Sequence, residues 1–393
     1  MLDGVRGAAI LLVLMFHATA SHVGASGRLD TIVRRSWSMG WTGVDLFFVL
    51  SGMLITGILL DTKDGVGYFR SFYARRTLRI FPLYYAALAI LLGVLPLVAR
   101  RYMHGSLSHT AALAWLFTYT SNIAIARADS WNAVPTLTGL YWSLAVEEQF
   151  YLVWPLLVWW LSRRALARTA VGMLVVALGS RVVLDRIGGF EKAIYVLLVT
   201  RMDTLAVGAL IALAARSVGG LARWAPSVRA VGAASGLGLL AILGVTRRFD
   251  GTSPLMHTVG FTCVAFAFGA LLVHVLAPGG ASGIVARVLR ARWLGRLGAR
   301  SYGVYIWHSV FLLALLQSRA VARIPVIRDH EALGVFATLV LVTGLGWATA
   351  ELSWRVLEAP FLRLKRYVPR PAAASRAAPG RAVRPDVAQV RTA

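Results

Sequence analysis

Apolar residues run along this chain in long stretches, separated by short segments rich in arginine. About eleven of them approach the roughly 20 residues that carry a helix across a hydrocarbon core: 7–24, 41–60, 81–98, 111–126, 143–161, 169–185, 194–215, 229–246, 256–276, 300–318 and 332–353. Strand-like alternation is missing from them, which sets a β-barrel aside and predicts an all-α, polytopic transmembrane bundle. Basic clusters fall between the runs, at Arg70 to Arg79, Arg163 to Arg168, Arg216 to Arg229, Arg287 to Arg300 and from Arg363 onward. Placing every cluster in the cytoplasm makes the last seven runs alternate, and the first three alternate from an inside N-terminus. The halves then meet out of phase if 111–126 also crosses. That run is short and ends in Thr118, Tyr119, Thr120, Ser121 and Asn122. The expectation is about ten crossings with both termini cytoplasmic, and 111–126 re-entrant or interfacial beside a cavity.

Composition supports this reading. Of 393 residues 58% are hydrophobic and 15% charged, against about 45–50% and 25% in soluble domains. A formal charge of +24 would suggest nucleic acid in a soluble protein. Here the arginines lie between apolar runs, so the charge reads as topology and no nucleic-acid partner is expected. The first run has no small-residue cleavage signal and is expected to stay as a helix. The single cysteine, Cys263, excludes an internal disulfide and a cysteine metal site. No H-E-x-x-H, Walker or Rossmann spacing occurs, so no metal is expected. Past residue 366 Pro, Ala, Arg and Ser dominate, predicting a membrane domain over 1–366 and a disordered basic tail over 367–393.

Ionisable groups inside apolar runs are costly and mark candidate chemistry. The opening run reads LDGVRGAAILLVLMFHA. Arg6 and His17 lie close to three helical turns apart and share a face, with Asp3 near it and His17 about 16 Å deeper than Arg6. The second run carries Asp45, with Ser51 and Gly52 as small residues suited to close helix contact. Arg76 and Arg79 lie one turn apart before the third run, where two guanidiniums could hold phosphates. Glu147 and Glu148 sit in an aromatic helix, about 100° apart around its axis. His308 follows Ser301 and Tyr305 at turn spacing. Asp203 beside Arg201 reads as a structural ion pair. His22, His104, His109, His257 and His330 fall in or near loops, where no role is expected.

Several of these segments, in this order, resemble the acyltransferase-3 family of bacterial membrane-bound O-acyltransferases. They are LDGVRG with Arg6 and His17 in Arg-x10-His spacing, GVDLFFVLSG from Gly43 to Gly52, Arg76-x-x-Arg79, YWSLAVEEQFYLVWP from Tyr141 to Pro155, SYGVYIWH from Ser301 to His308, and Trp354-x3-Glu358-x-Pro360. The resemblance spans roughly 1–366. It implies about ten helices across a bacterial inner membrane, an acetyl-CoA or other acyl-CoA donor reached from the cytoplasm, and a hydroxyl-bearing carbohydrate, lipid-linked sugar or macrolide-like acceptor. It also implies that Arg6 and His17 are essential and that Arg76 and Arg79 lie near the donor.

The expected chemistry is then acyl transfer. His17 acts as general base, Glu147 orients its imidazole, and Arg6 faces the thioester; Arg6, Arg76 and Arg79 hold the donor. Asp45, Trp142, Glu148, Tyr305 and His308 are candidates for binding the acceptor. An acyl-His17 intermediate is the alternative route. A rival reading from another class is a transporter or flippase using buried Arg, His and Glu as a substrate or proton path.

Overall fold

The computed structural model describes residues 1–20, 27–98, 110–248, 251–278, 283–318 and 331–369. Most of the expected tail, and His22, His104, His109 and His330, lie outside the described residues. Among those described there are helices and connections but no strand. In chain order the helices are α1 (Leu2–Ala20), α2 (Arg28–Ser38), α3 (Gly43–Thr62), α4 (Tyr68–Ala89), α5 (Leu95–Val98), α6 (Thr110–Phe117), α7 (Ser121–Ala128) and α8 (Trp142–Trp160). They continue as α9 (Arg163–Ile187), α10 (Glu191–Val196), α11 (Leu198–Ala215), α12 (Gly220–Thr246), α13 (Phe261–Leu276), α14 (Ile284–Leu289), α15 (Arg292–Ala299), α16 (Ser301–Ser318) and α17 (Glu331–Ser353). Single π-turns precede α13 at Met256–Gly260 and follow α17 at Trp354–Glu358.

Eight helical stretches among the described residues are long and apolar enough to cross a membrane, so the chain is a multi-pass membrane protein. The expected ten are not reached by that measure. Of the runs expected to cross, α8 and α16 are not among the eight: they are about as long as α1, which is, but polar residues such as Glu147, Glu148, Gln149 and His308 lower their hydropathy. The run 111–126 is broken into α6 and α7, of 8 residues each. Each is about 12 Å long, far short of the roughly 30 Å core. The break lies at Tyr119, whose φ of 54° is left-handed. Its carbonyl, freed from helix bonding, accepts from Gln149 Nε2 of α8 at 2.9 Å.

Glycine sets the closest helix crossings. A Cβ on Gly52 of α3 would come within 2.1 Å of the Leu205 carbonyl oxygen of α11, and one on Gly208 within 2.1 Å of that of Val49. These two helices therefore touch backbone to backbone, the contact expected of small residues in a bilayer. Gly4 and Gly7 do the same for α1, where added Cβ atoms would meet the carbonyls of Leu289 and Leu294. Two glycines of the LDGVRG segment thus seat α1 against α14 and α15.

Contacts between helix ends gather the basic segments at one end of the bundle. Lys63 Nζ donates to the Leu161 carbonyl at 2.7 Å, and Arg163 Nη1 to that of Arg216 at 3.3 Å. Arg216 is paired with Asp61, and Arg75 Nη2 donates to the carbonyls of Lys365 and Val368. At the other end lie Glu191 and Lys192, at the start of α10, and Gly251 and Thr252, between α12 and α13.

Candidate functional site

Helices α1, α3, α4, α8 and α16 come together around two cavities. One, of about 140 Å³, is lined by Arg6, Ser51, Arg76, Arg79, Glu147, Glu148, Tyr151, Ser301, Tyr302 and Tyr305, with Val44 and other apolar side chains. The other, of about 360 Å³, is lined by His17, Trp41, Val44, Trp131, Trp142, Glu191, Lys192, Tyr195, His257 and Tyr305 among others. Val44 and Tyr305 line both, so one thin partition separates a cationic chamber from an aromatic one. The stripe on α1 explains the arrangement: Arg6 near the start of the helix serves the first cavity, and His17, three turns on, serves the second.

In the basic chamber the Arg76 guanidinium lies 4.4 Å above the Tyr151 ring, a cation–π contact. The Tyr151 hydroxyl and Ser51 Oγ share a short hydrogen bond, and Glu147 lines the same chamber beside them. Arg6 is paired with Asp3 at 2.7 Å on the rim. Glu358 is buried. The π-turn Trp354–Glu358 ends on it, with Ser353 Oγ donating to its Oε1 at 3.4 Å. Nothing in the spacing of the Trp354-x3-Glu358 segment signals the wide turn that buries Glu358.

In the aromatic chamber His17 is partly exposed to the cavity, while His308 is fully buried. Their rings are tilted 43° with centroids 5.1 Å apart, and His308 Nε2 lies 3.4 Å from His17 Nδ1. His308 Nδ1 lies 2.8 Å from the carbonyl oxygen of Tyr305 and 3.2 Å from that of Val304. The Tyr305 hydroxyl donates to the Leu140 carbonyl at 2.6 Å and is 2.6 Å from Ser143 Oγ. This fixes Tyr305 in the partition.

Two expected placements change. Glu147 does not orient His17: it faces the basic chamber with Ser51 and Tyr151, and the ring against His17 belongs to His308. The cause is the rotation and depth at which α8 packs: Glu147 and Glu148 both reach the basic chamber, while Trp142, more than a turn earlier, lines the chamber of His17. Asp45, expected at the acceptor, is also placed elsewhere. It is fully buried, lines neither cavity, and is paired with Arg201 at 2.6 Å. Arg201 therefore does not pair with its neighbour Asp203, which meets Arg181 at 2.9 Å. Two crossed ion pairs thus tie α3 to α11 and α11 to α9. Trp142 lines the aromatic chamber, Glu148 the basic one and Tyr305 both. His257, read as a loop residue, is buried in its π-turn and lines the aromatic chamber. Trp41, Trp131, Tyr195 and Lys192 also had no signal in the sequence, since they come from three separate segments, the last two from α10.

Among the described residues no group of three or more His, Cys, Asp or Glu side chains is placed to hold a metal. Taken together, the bundle is a multi-pass membrane protein with reactive side chains in its interior, reached through a charged chamber and an aromatic one. The sequence profile of the acyltransferase-3 family, an acyltransferase domain, matches residues 1–351, and the chain belongs to that family. It is 30% identical over 374 residues to the protein YrhL of Bacillus subtilis, covering 91% of this chain and 54% of that one. It is 26% identical over 385 residues to the O-acetyltransferase OatA of Staphylococcus aureus, covering 91% and 56%. Identity is also 26% over 380 residues to the peptidoglycan O-acetyltransferase OatA of Listeria monocytogenes, covering 91% and 55%. The chain spans about half the length of these curated relatives. No solved structure matches it.

Proposed function

We propose that this protein is a membrane-bound O-acyltransferase that moves an acetyl group from acetyl-CoA to a hydroxyl of an envelope glycan, with peptidoglycan the leading acceptor. The observation that carries this reading is the pair of chambers on either side of Val44 and Tyr305. Arg6, Arg76 and Arg79 give the basic chamber the charge that a phosphate-bearing thioester needs, and guanidiniums grip phosphates bidentately. At about 140 Å³ the chamber holds only part of such a donor. The acyl-thioester end enters, and the phosphates stay among the arginines at the rim. The aromatic chamber offers Trp41, Trp131, Trp142 and Tyr195, flat faces suited to sugar rings, with His17 at its inner wall. The names of the staphylococcal and listerial relatives supply the acetyl group and the peptidoglycan acceptor.

In this scheme the acceptor hydroxyl lies against His17 and loses its proton to the imidazole as its oxygen attacks the thioester carbonyl. The acetyl group reaches it between Val44 and Tyr305. When the tetrahedral intermediate collapses, the carbon–sulfur bond breaks and the thiolate takes the proton back from His17. The ester and free CoA-SH leave at opposite ends. The basic end faces the cytoplasm, where the donor is made.

His17→Ala tests the reading. Purified in lipid nanodiscs with acetyl-CoA and a peptidoglycan fragment, the variant should fold normally and release thiol at least about a hundredfold more slowly, the low end of what a positioned base supplies. Normal thiol release and acetyl transfer by His17→Ala would rule the scheme out. Acceptor transport by the wild type without consumption of acetyl-CoA would favour a transporter instead.

A further inference from the structure

Resting on the base role of His17, we propose that His308 is a positioning residue that sets the tautomer of His17. It keeps the ring proton on Nδ1 and leaves Nε2 as the lone-pair nitrogen for the acceptor. Each step follows from which atoms can donate. The two carbonyl oxygens at His308 Nδ1, 2.8 and 3.2 Å away, can only accept. That nitrogen therefore carries a hydrogen, and in an uncharged ring Nε2 carries none. Nε2 of His308 faces Nδ1 of His17 at 3.4 Å. Two lone pairs pointed at each other would repel, so His17 Nδ1 must hold the hydrogen. A neutral His17 then has its free lone pair on Nε2, on the far side of the ring from His308.

The surroundings hold this order in place. His308 is fully buried. Its Cβ lies 3.9 Å from the site a Cβ on Gly346 of α17 would fill, so α17 packs flush behind it. Tyr305, one turn earlier, is anchored through its hydroxyl to Leu140, which fixes the carbonyl that His308 bonds. In hydrolytic triads a carboxylate holds the histidine tautomer, and losing that control costs about 10⁴ in turnover. Here an uncharged ring does the orienting. When His17 takes the acceptor's proton on Nε2, its Nδ1–H bond to His308 becomes charge-assisted and shortens.

The test is nitrogen NMR on the full-length protein labelled with ¹⁵N-histidine in nanodiscs, with the His17 signals assigned by their loss in His17→Ala. The wild type should show His17 protonated on Nδ1. In His308→Leu that preference should be lost, and kcat should fall about a hundredfold or more with the donor KM unchanged. His308→Gln, whose amide oxygen can accept where Nε2 stood, should restore the Nδ1–H form and most of the lost kcat. Wild-type His17 protonated on Nε2, or His308→Leu with unaltered tautomer and kcat, overturns the proposal. So does a His308→Gln as impaired as the leucine variant. If His308→Leu fails to fold, the wild-type spectrum and His308→Gln still decide. The tautomer is read without turnover, so a failed base role, shown by an active His17→Ala, is distinguished from a failed role for His308.

Discussion

A guanidinium and an ammonium carry the same charge, yet the basic chamber is built to tell them apart. Arg76 lies over the Tyr151 ring at 4.4 Å, and Arg79 lines the same chamber. A planar fork fits both settings, whereas a lysine keeps only the charge. If the donor's phosphates bind here, Arg79→Lys should raise the donor KM about tenfold, the worth of one charge-assisted hydrogen bond, and change kcat little. Steady-state kinetics with varied acetyl-CoA checks this, and an unchanged KM would place the phosphates elsewhere. The two acids beside them show how far single residues could be read. That Glu147 and Glu148 were out of place in an aromatic helix was plain from the sequence. Which partner they would meet was not, because their directions depend on how α8 is rotated against α3 and α4.

Helix identity was legible almost throughout, since long apolar runs with basic ends can satisfy their backbones in a bilayer only as helices. Contacts between helices were less so. Gly52 was suspected of a close contact, and the structure supplies the partner, Gly208 of α11, which no spacing in the sequence connects to it. The two are crossing points of one interface. Gly208→Val should drive its side chain into the Val49 carbonyl and force α3 and α11 apart. We expect a lower melting temperature of the detergent-solubilised protein and a loss of transfer, since α3 carries Ser51 and Val44 of the chambers. Gly244→Val, where an added Cβ meets nothing within 4 Å, is the control. Equal stability of the two variants would argue against a backbone contact. The same separation of sequence from contact hid the crossed ion pairs. Arg201 and Asp203 are neighbours in the chain, but side chains two apart on a helix point to different sides. Each therefore finds its partner on another element.

At the scale of the whole molecule, the positive-inside pattern and the two chambers make one prediction about orientation. With the basic end cytoplasmic, the loop at Val66, 95% exposed, should be closed to reagents outside the cell, while Thr252 beside the aromatic chamber should be open to them. In a Cys263→Ser background, a membrane-impermeant maleimide applied to intact cells should label Thr252→Cys and not Val66→Cys until the membrane is permeabilised. The reverse pattern would turn the protein over and put the donor on the wrong side. The amino-acid order by itself determined the helical class, the basic and non-basic ends and the membership of Arg6 and His17 in one stripe. Each of these follows from local periodicity and from the cost of charge in lipid. Only the packed molecule decided that the stripe is divided by Val44 and Tyr305 and that His308 rather than Glu147 meets His17. It also decided that Asp45 is spent on Arg201. Those outcomes depend on the rotation of helices about their own axes, which is set by side chains far apart in sequence.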